Sequence, residues 1–305
     1  VREMKAIVYE EYGGPEVLRL KETEEPHPGP GQVRLKVMAA GVNPIDYKIR
    51  RGWMPQMGPA AFPAIPGTEA AGLVDEVGEG VTAWSVGDEV LGWTDTGAYA
   101  PYALATDIAP KPAGLDWETA AALPVATETS ARVLDLLRLA EGETLLLHGA
   151  AGAVGGVGVQ LAVDRGATVI GTASPTNHDY LRSLGAIPVA YGEGLAERVR
   201  AVAPNGVDAV YDAAGQGALP VSIELRGGTT DRIVTIADPA AADFGVTFSG
   251  GGGNRPLEAI AGYARLAAEG GLRVPIVRSF PLADAAEAHE QSEAGHSRGK
   301  LVLRP

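Results

Sequence analysis

The stretch that decides the fold is Leu145 to Gln160, LLLHGAAGAVGGVGVQ. The apolar run Leu145-Leu146-Leu147 leads into a turn in which Gly149, Gly152 and Gly155 fall three apart. Beyond it, Val154, Val157 and Leu161 share a face at helical spacing. The stretch reads as buried strand, tight turn and helix N-terminus. A first helical turn carries unpaired N–H groups and the positive end of the helix dipole, so it binds anions. Glycines let a pyrophosphate approach the backbone and let helix and strand pack closely. The usual fingerprint is G-x-G-x-x-G; here Ala150 stands at the first glycine, followed by Gly152 and Gly155. As a bare string this also fits a loop without a ligand. The strands and helices that alternate behind it at βαβ spacing favour a nucleotide turn.

The chain has 305 residues, enough for two domains with real cores, and its 46% hydrophobic and 21% charged content is ordinary for a globular protein. A net charge of −13 argues against nucleic acid or an anionic membrane as partner, and reads as solubility. The absence of cysteine excludes disulfides, thiolate zinc sites and a Cys nucleophile. No apolar run reaches transmembrane length and the first residues carry no apolar signal segment, so a cytoplasmic location is expected.

Residues 4–9, 17–20 and 33–37 read as strands between turns rich in Pro and Gly, which predicts a β-rich N-terminal domain. Residues 39–48, with Asn43-Pro44 inside, read as a loop. Pro66 to Val90 reads as a glycine-punctuated hairpin, with Gly67, Gly72, Gly78, Gly80 and Gly87 between valines.

The run Gly67-x-Glu69-x-x-Gly72-x-Val74, then Gly78, Val81 and Gly87-Asp88-x-Val90, resembles the signature of the medium-chain dehydrogenase/reductase superfamily. Gly142-Glu143, Leu146, Ala150-Ala151-Gly152, Gly155 and Gln160 resemble the second signature of its quinone oxidoreductase branch; Ala153 departs from it, where Gly is usual. The likeness extends to Asn43-Pro-Ile-Asp46 and to Gly299-Lys300-Leu301-Val302-Leu303.

The resemblance implies an α/β protein with a GroES-like β-rich catalytic domain over 1–122, completed by 274–305, and a Rossmann NADP-binding domain over 123–273. The sequence agrees. A helical pattern over Ala120–Glu141 ends with Gly142 placed as a C-cap. Strands follow at 145–147, 168–172, 187–190, 207–211 and 232–236, with helices between them at 154–165, 177–184 and 194–203, which predicts a doubly wound parallel sheet. Pro256 opens a further helix that ends near Gly270-Gly271.

Alcohol-oxidising members of the superfamily hold a catalytic zinc with a Cys at the place of Asn43 and a His at the place of Thr68; neither ligand is present. The five histidines, His27, His148, His178, His289 and His296, show no ligand spacing, and structural or surface roles are expected for them. His148 is expected beneath the cofactor loop. Without a Lewis acid, reduction of a quinone or an α,β-unsaturated carbonyl is easier to support than alcohol oxidation.

An NAD-binding unit places Asp or Glu at the end of its second strand. Here the strand ends Gly171-Thr172-Ala173-Ser174-Pro175-Thr176-Asn177, without a carboxylate. Ser174 and Asn177 can donate to a 2′-phosphate, and by resemblance Tyr191 reaches it, so NADPH is the expected cofactor. Arg182 is a helix-face cation with a solvated role expected. Gly149, Ala150, Gly152, Ala153, Val154 and Gly155 would cradle the pyrophosphate beside Thr172. By resemblance Thr129 sits near the nicotinamide amide, Ala214 and Ala237 line the groove, Gly251 belongs to a glycine loop (Ser249 to Asn254) that closes over the nicotinamide, and Lys300 meets phosphate or ribose. That loop also reads as plain surface, and Lys300 as a surface charge.

The reaction implied is hydride transfer to an acceptor in an apolar site, with a hydrogen-bond donor for the developing oxyanion. Asn43 and Tyr47 are the catalytic candidates. Tyr47 is shifted by one from the family arrangement and Trp53-Met54 replaces a second Tyr, so solvent also qualifies as proton source. Asp46 and Glu69 are expected to bond loop backbone; Trp53, Met54, Met57 and Phe62 either wall a pocket or pack. Three functions follow: an NADPH-dependent quinone or enone reductase, an enoyl-thioester reductase, or an NADPH-binding sensor or structural protein with little turnover. The family is commonly a homodimer or homotetramer paired through Rossmann sheet edges, with 232–236 or its neighbours as the pairing segment.

Overall fold

The computed structural model describes residues 1–251, 253, 255–295 and 298–305. The first elements are β1 (Glu3–Val8), β2 (Arg19–Glu24), β3 (Val33–Val42), α1 (Pro44–Arg50), β4 (Glu69–Val77), β5 (Glu89–Trp93), β6 (Tyr102–Ala105), β7 (Ile108–Pro110), α2 (Trp117–Ala121) and α3 (Leu123–Leu136). Next come β8 (Thr144–His148), α4 (Ala153–Asp164), β9 (Thr168–Thr172), α5 (His178–Ser183), β10 (Ile187–Val189), α6 (Leu195–Val202), β11 (Ala209–Asp212), α7 (Leu219–Leu225), β12 (Ile233–Thr235), α8 (Ala241–Phe244) and β13 (Thr247–Phe248). The last are α9 (Leu257–Ala268), β14 (Ile276–Pro281), α10 (Ala285–Ala294) and β15 (Lys300–Arg304).

The chain forms two compact units, Val1–Val125 with Pro256–Pro305, and Ala126–Arg255. The first is β-rich. Its main sheet runs β14-β15-β3-β4-β5-β7, with β6 also on β3, and β1 and β2 make a separate hairpin. Among the described residues only β14 and β15 pair in parallel within that sheet; the other ladders are antiparallel. The 66–90 segment is the β4–β5 hairpin, as its glycines suggest.

The second unit carries a six-stranded sheet in the order β10-β9-β8-β11-β12-β13, every ladder parallel. Counted from β8 this is 3-2-1-4-5-6, the doubly wound dinucleotide order, whose ligand crevice lies outside the strand C-termini where the order reverses, between β8 and β11. The leucine run explains the layering. Leu145 and Leu147 enter a core with Val159, Ala162 and Leu181, while Leu146, on the other face, packs with Val199, Val210 and Leu219. A strand covered on both faces has no polar alternation to show.

Four sequence readings change. Residues 39–48 are not a loop: β3 continues to Val42 and α1 starts at Pro44, whose fixed φ suits the first helical position after Asn43 as N-cap. Gly142 does not cap α3. The helix ends at Leu136, the left-handed residue is Arg138 at φ 53°, and Gly142 turns the chain into β8. The return to the first unit comes at Pro256, not at 274, because α9 packs on β7 through a face that buries Ile260 and Ala264. Finally, β12 is flanked by β11 and β13, so 233–235 offers no free edge; β13 does.

Candidate functional site

The second unit builds an anion cradle at the end of β8. Gly149 adopts φ +79°, a left-handed conformation that admits glycine freely. Its N–H bonds Thr172 Oγ1 at 3.2 Å, and the Ala150 N–H bonds Thr172 O at 3.1 Å, so the turn is pinned to the end of β9. Gly152 is the N-cap of α4 and has no side chain to cap it, which leaves the first helical N–H groups of Ala153 and Val154 for a ligand. A Cβ on Gly155 would lie 2.0 Å from Gly149 O, so only glycine allows α4 this close to the turn. Ser130 Oγ donates to Val154 O at 2.7 Å and holds α4 from the other side; Thr129, next to it, is buried.

Beneath the turn, His148 is buried with Nε2 at 2.9 Å from Ser222 Oγ, and Ser222 spends its own hydrogen on Ala218 O at 2.7 Å. The Nε2–H tautomer follows. Burial lowers the His148 pKa to about 4, so a neutral ring lies under the phosphate turn.

Two further strand ends are locked. Asp212 Oδ1 accepts the N–H groups of Ala214 and Gly215, each at 3.1 Å, and its Oδ2 accepts Thr235 Oγ1 at 2.8 Å. Thr235 Oγ1 in turn accepts the N–H groups of Ala237 and Asp238 at 3.2 and 3.0 Å. Ala214 and Ala237 thus have fixed backbones at the strand C-termini. Ser249 N bonds Thr235 O at 2.9 Å and Arg132 Nε donates to Ser249 Oγ at 2.9 Å, which anchors the start of the glycine loop. Gly251 is exposed; Gly252, Asn254 and His296 lie outside the described residues.

At the end of β9, Ser174 Oγ lies 3.1 Å from Thr176 Oγ1 and accepts from Asn177 Nδ2 at 3.3 Å. Tyr191 is 49% exposed. Arg182 pairs with Asp179 at 2.7 Å on the surface, as expected of a solvated cation. Arg198 had no sequence signal. Its guanidinium donates to Ala190 O at 2.9 Å and Glu193 O at 2.7 Å, and so shapes the loop that carries Tyr191.

The first unit holds a buried polar chain around Asn43. Asp46 Oδ2 accepts the Asn43 N–H at 3.0 Å, closing the start of α1, and the Tyr99 hydroxyl at 2.7 Å. Tyr99 OH is also 2.9 Å from His289 Nε2, and His289 Nδ1 is 2.6 Å from Arg50 Nη1. Arginine only donates, so Nδ1 accepts and Nε2 carries the hydrogen toward Tyr99. Arg50 and Arg51 both bond Glu293 on α10. Burial raises Asp46 to about 6 against the Asn43 and Tyr99 hydrogen bonds, whereas burial and the Arg50 charge hold His289 down to about 3. Tyr99, which lies in no motif, is the residue sequence reading missed here, while His289 has a buried structural role. Glu69 Oε2 accepts the Val125 N–H at 2.7 Å, a backbone role as expected.

Lys300 differs from expectation. It is 2% exposed, with Nζ 2.6 Å from Asn43 Oδ1 and 2.6 Å from Glu69 Oε1, so its charge is committed inside the first unit and not presented to phosphate. Tyr47 is half-buried with its ring edge-on to Trp53, and burial raises its pKa. Met54 and Met57 line an apolar cavity of about 440 Å³ with Tyr12, Ile49 and Gly52; Phe62 instead packs edge-on against Tyr9 and Tyr12. Among the described residues no group of His, Cys, Asp and Glu has the geometry to hold a metal ion.

The family model for the alcohol dehydrogenase GroES-like domain matches residues 29–111, and that for zinc-binding dehydrogenases matches residues 184–303. The chain is 33% identical to a chloroplastic NADPH-dependent alkenal/one oxidoreductase of Arabidopsis thaliana, over 100% of this chain and 80% of that protein. The solved quinone oxidoreductase of Coxiella burnetii is similar over 100% of both chains, at 33% identity and a TM-score of 0.87. A mycobacterial protein solved with NADPH is similar over 99% of this chain and 100% of that one, at 30% identity and a TM-score of 0.82. On the nucleotide turn, the sheet order and these likenesses, the chain belongs to the medium-chain dehydrogenase/reductase superfamily, in its quinone oxidoreductase branch.

Proposed function

We propose that this protein is an NADPH-dependent oxidoreductase that passes hydride to a quinone or an α,β-unsaturated carbonyl without zinc. The observation that carries the reading is the cradle at the end of β8, where Gly155 sits in contact with Gly149 O and α4 opens on an uncapped turn. The end of β9 supports NADPH over NADH. Ser174 and Asn177 stand where an NAD site needs a carboxylate, and Tyr191, half exposed, follows β10, the strand that pairs with β9. When bound, NADPH supplies the hydride. The chain would hold it through the backbone of Gly149, Ala150, Gly152, Ala153, Val154 and Gly155, with Thr172, Ser174, Asn177 and Tyr191 serving the adenosine phosphate and Thr129, Ala214, Ala237 and Gly251 serving the nicotinamide.

Asn43 and Tyr47 are the groups that donate to the acceptor oxygen as charge develops on it. With Asn43 and Thr68 at the positions where the zinc-dependent relatives need Cys and His, an electron-poor acceptor suits the residues better than an alcohol. No helix among the described residues is long and apolar enough to cross a membrane, and a cytoplasmic location is part of the proposal. A homodimer or homotetramer paired through β13, whose Phe248 is 44% exposed, fits the free edge of the sheet.

Stopped-flow oxidation of NADPH against a quinone, an enone and a crotonyl thioester tests the reading. Fast turnover with the first two supports it. Turnover confined to the thioester makes the protein an enoyl-thioester reductase, and tight NADPH binding with no turnover makes it a sensor or structural protein; either result overturns the proposal.

A further inference from the structure

Three strand ends meet at Asn43. Asn43 follows the last residue of β3, Glu69 is the first residue of β4 and Lys300 is the first residue of β15. β15 pairs with β3 through Leu301 and Val42, so the register itself brings Lys300 beside Asn43. Gly41 makes room for the third member, since a Cβ there would lie 2.1 Å from Glu69 Oε1. All three side chains are buried, at 3%, 0% and 2% exposure for Asn43, Glu69 and Lys300.

A lysine ammonium has only hydrogens to offer. The Asn43 atom at 2.6 Å from Nζ must therefore be the carbonyl oxygen. The other end of the amide, Nδ2, is buried with no partner in the protein. A native interior rarely leaves a donor unpaired without a use for it. Glu69 Oε1 pairs with Lys300 Nζ at 2.6 Å, and the Val125 N–H holds Glu69 in turn.

Resting on the reading of Asn43 as a donor to the acceptor oxygen, we infer that Lys300 is a positioning residue. It pins the Asn43 carboxamide with Oδ1 on Nζ, so that Nδ2–H is the end left without a protein partner and free to donate in the reaction. Without the ammonium the amide is free to turn and present its oxygen, which repels a developing oxyanion. Glu69 is the counter-ion that makes the arrangement neutral.

The test compares Asn43→Ala, the double variant Lys300→Met/Glu69→Gln, and the combination of all three. The double variant removes both charges, because Lys300→Met alone strands the Glu69 carboxylate in the interior and endangers folding. Steady-state kinetics use NADPH and an enone. A second readout, free of turnover, is the side-chain NH₂ signals of Asn43 in nitrogen-15 spectra of the protein alone, assigned by their loss in Asn43→Ala. Asn43→Ala should lower kcat about a hundredfold, as removal of an oxyanion donor does, with the KM for NADPH unchanged. The double variant should lower kcat roughly tenfold and move the Asn43 NH₂ signals, and in the triple variant it should add little to Asn43→Ala. Wild-type kcat in Asn43→Ala overturns the donor reading itself. If Asn43→Ala is impaired but the double variant keeps wild-type kcat and unmoved NH₂ signals, the donor reading stands and the positioning role of Lys300 falls. Full additivity in the triple variant also overturns positioning, since Lys300 then acts apart from Asn43.

Discussion

Gly155 stands so close to Gly149 that a methyl group on its Cα would lie 2.0 Å from the Gly149 carbonyl oxygen. Gly152, in the same turn, has nothing nearer than that oxygen at 3.8 Å. The two glycines therefore serve different ends. Gly155→Ala forces α4 off the strand and should cost about 1–3 kcal/mol of stability, as overpacking does. Gly152→Ala should cost less, roughly 0.5–1 kcal/mol as an N-cap change, yet place a methyl where phosphate must sit. Denaturant midpoints and NADPH titration separate the effects. Equal stability loss in both variants would show that the turn is not packed as described.

That contrast marks what the sequence made legible. The spacing of Gly149, Gly152 and Gly155 after a leucine run carried the fold, because a parallel sheet buries its strands on both faces and the turn has few alternatives. The order of strands beyond β12 was not legible: β13 is Thr247–Phe248 alone, too short to leave a period. Asn43 and Asp46 were readable from a motif, but their partners come from far along the chain. Lys300 reaches the site through the β15–β3 ladder, His289 through α10, and Tyr99 from the connection between β5 and β6, where its N–H bonds Pro66 O; no local pattern encodes such a meeting. Lys300 was misread for the same reason: a lysine near a chain end looks solvated until its strand is placed.

Ser174→Asp should convert cofactor preference. Ser174 lies two residues beyond β9, where an NAD site carries its carboxylate, and its hydroxyl joins Thr176 and Asn177. A carboxylate there repels a 2′-phosphate and accepts from a ribose diol. The Kd for NADPH should rise about tenfold or more while that for NADH falls. Unchanged discrimination would place the 2′-phosphate elsewhere.

Acid should weaken the fold below neutrality. In the unfolded chain His148 and His289 take up protons near pH 6.5, but burial holds them neutral in the fold to about 4 and about 3. Each contributes stability that is present above 6.5 and lost as pH falls. Asp46 acts oppositely: its carboxyl protonates at about 6 in the fold, against 3.8 unfolded, so its contribution is present below 3.8 and lost as pH rises through 6. Two histidines outweigh one carboxyl between pH 7 and 5, and the net loss should be about 2 kcal/mol. Guanidinium titrations at the two pH values measure it, and His289→Gln should flatten the slope. A midpoint that held constant or rose at pH 5 would contradict the neutral assignment of both rings.

Thr235→Val probes the lock on the strand ends. The hydroxyl donates to Asp212 Oδ2 at 2.8 Å and accepts the N–H groups of Ala237 and Asp238, and valine keeps its shape while removing all of these. Asp212 is fully buried and would lose a donor while still holding Ala214 and Gly215. Leaving buried polar groups unpaired costs about 1–3 kcal/mol, so the midpoint of unfolding should fall accordingly. Because Ala214 and Ala237 mark the C-terminal ends of β11 and β12, where a doubly wound sheet binds its ligand, NADPH affinity should fall with it. The distinguishing comparison is Ser249→Ala, which removes the acceptor of Arg132 at 2.9 Å but leaves Asp212 and Thr235 bonded. It should weaken NADPH binding less than Thr235→Val does. If the two variants bind NADPH equally, the Asp212–Thr235 pair is a stability feature of the sheet and takes no part in shaping the nucleotide groove.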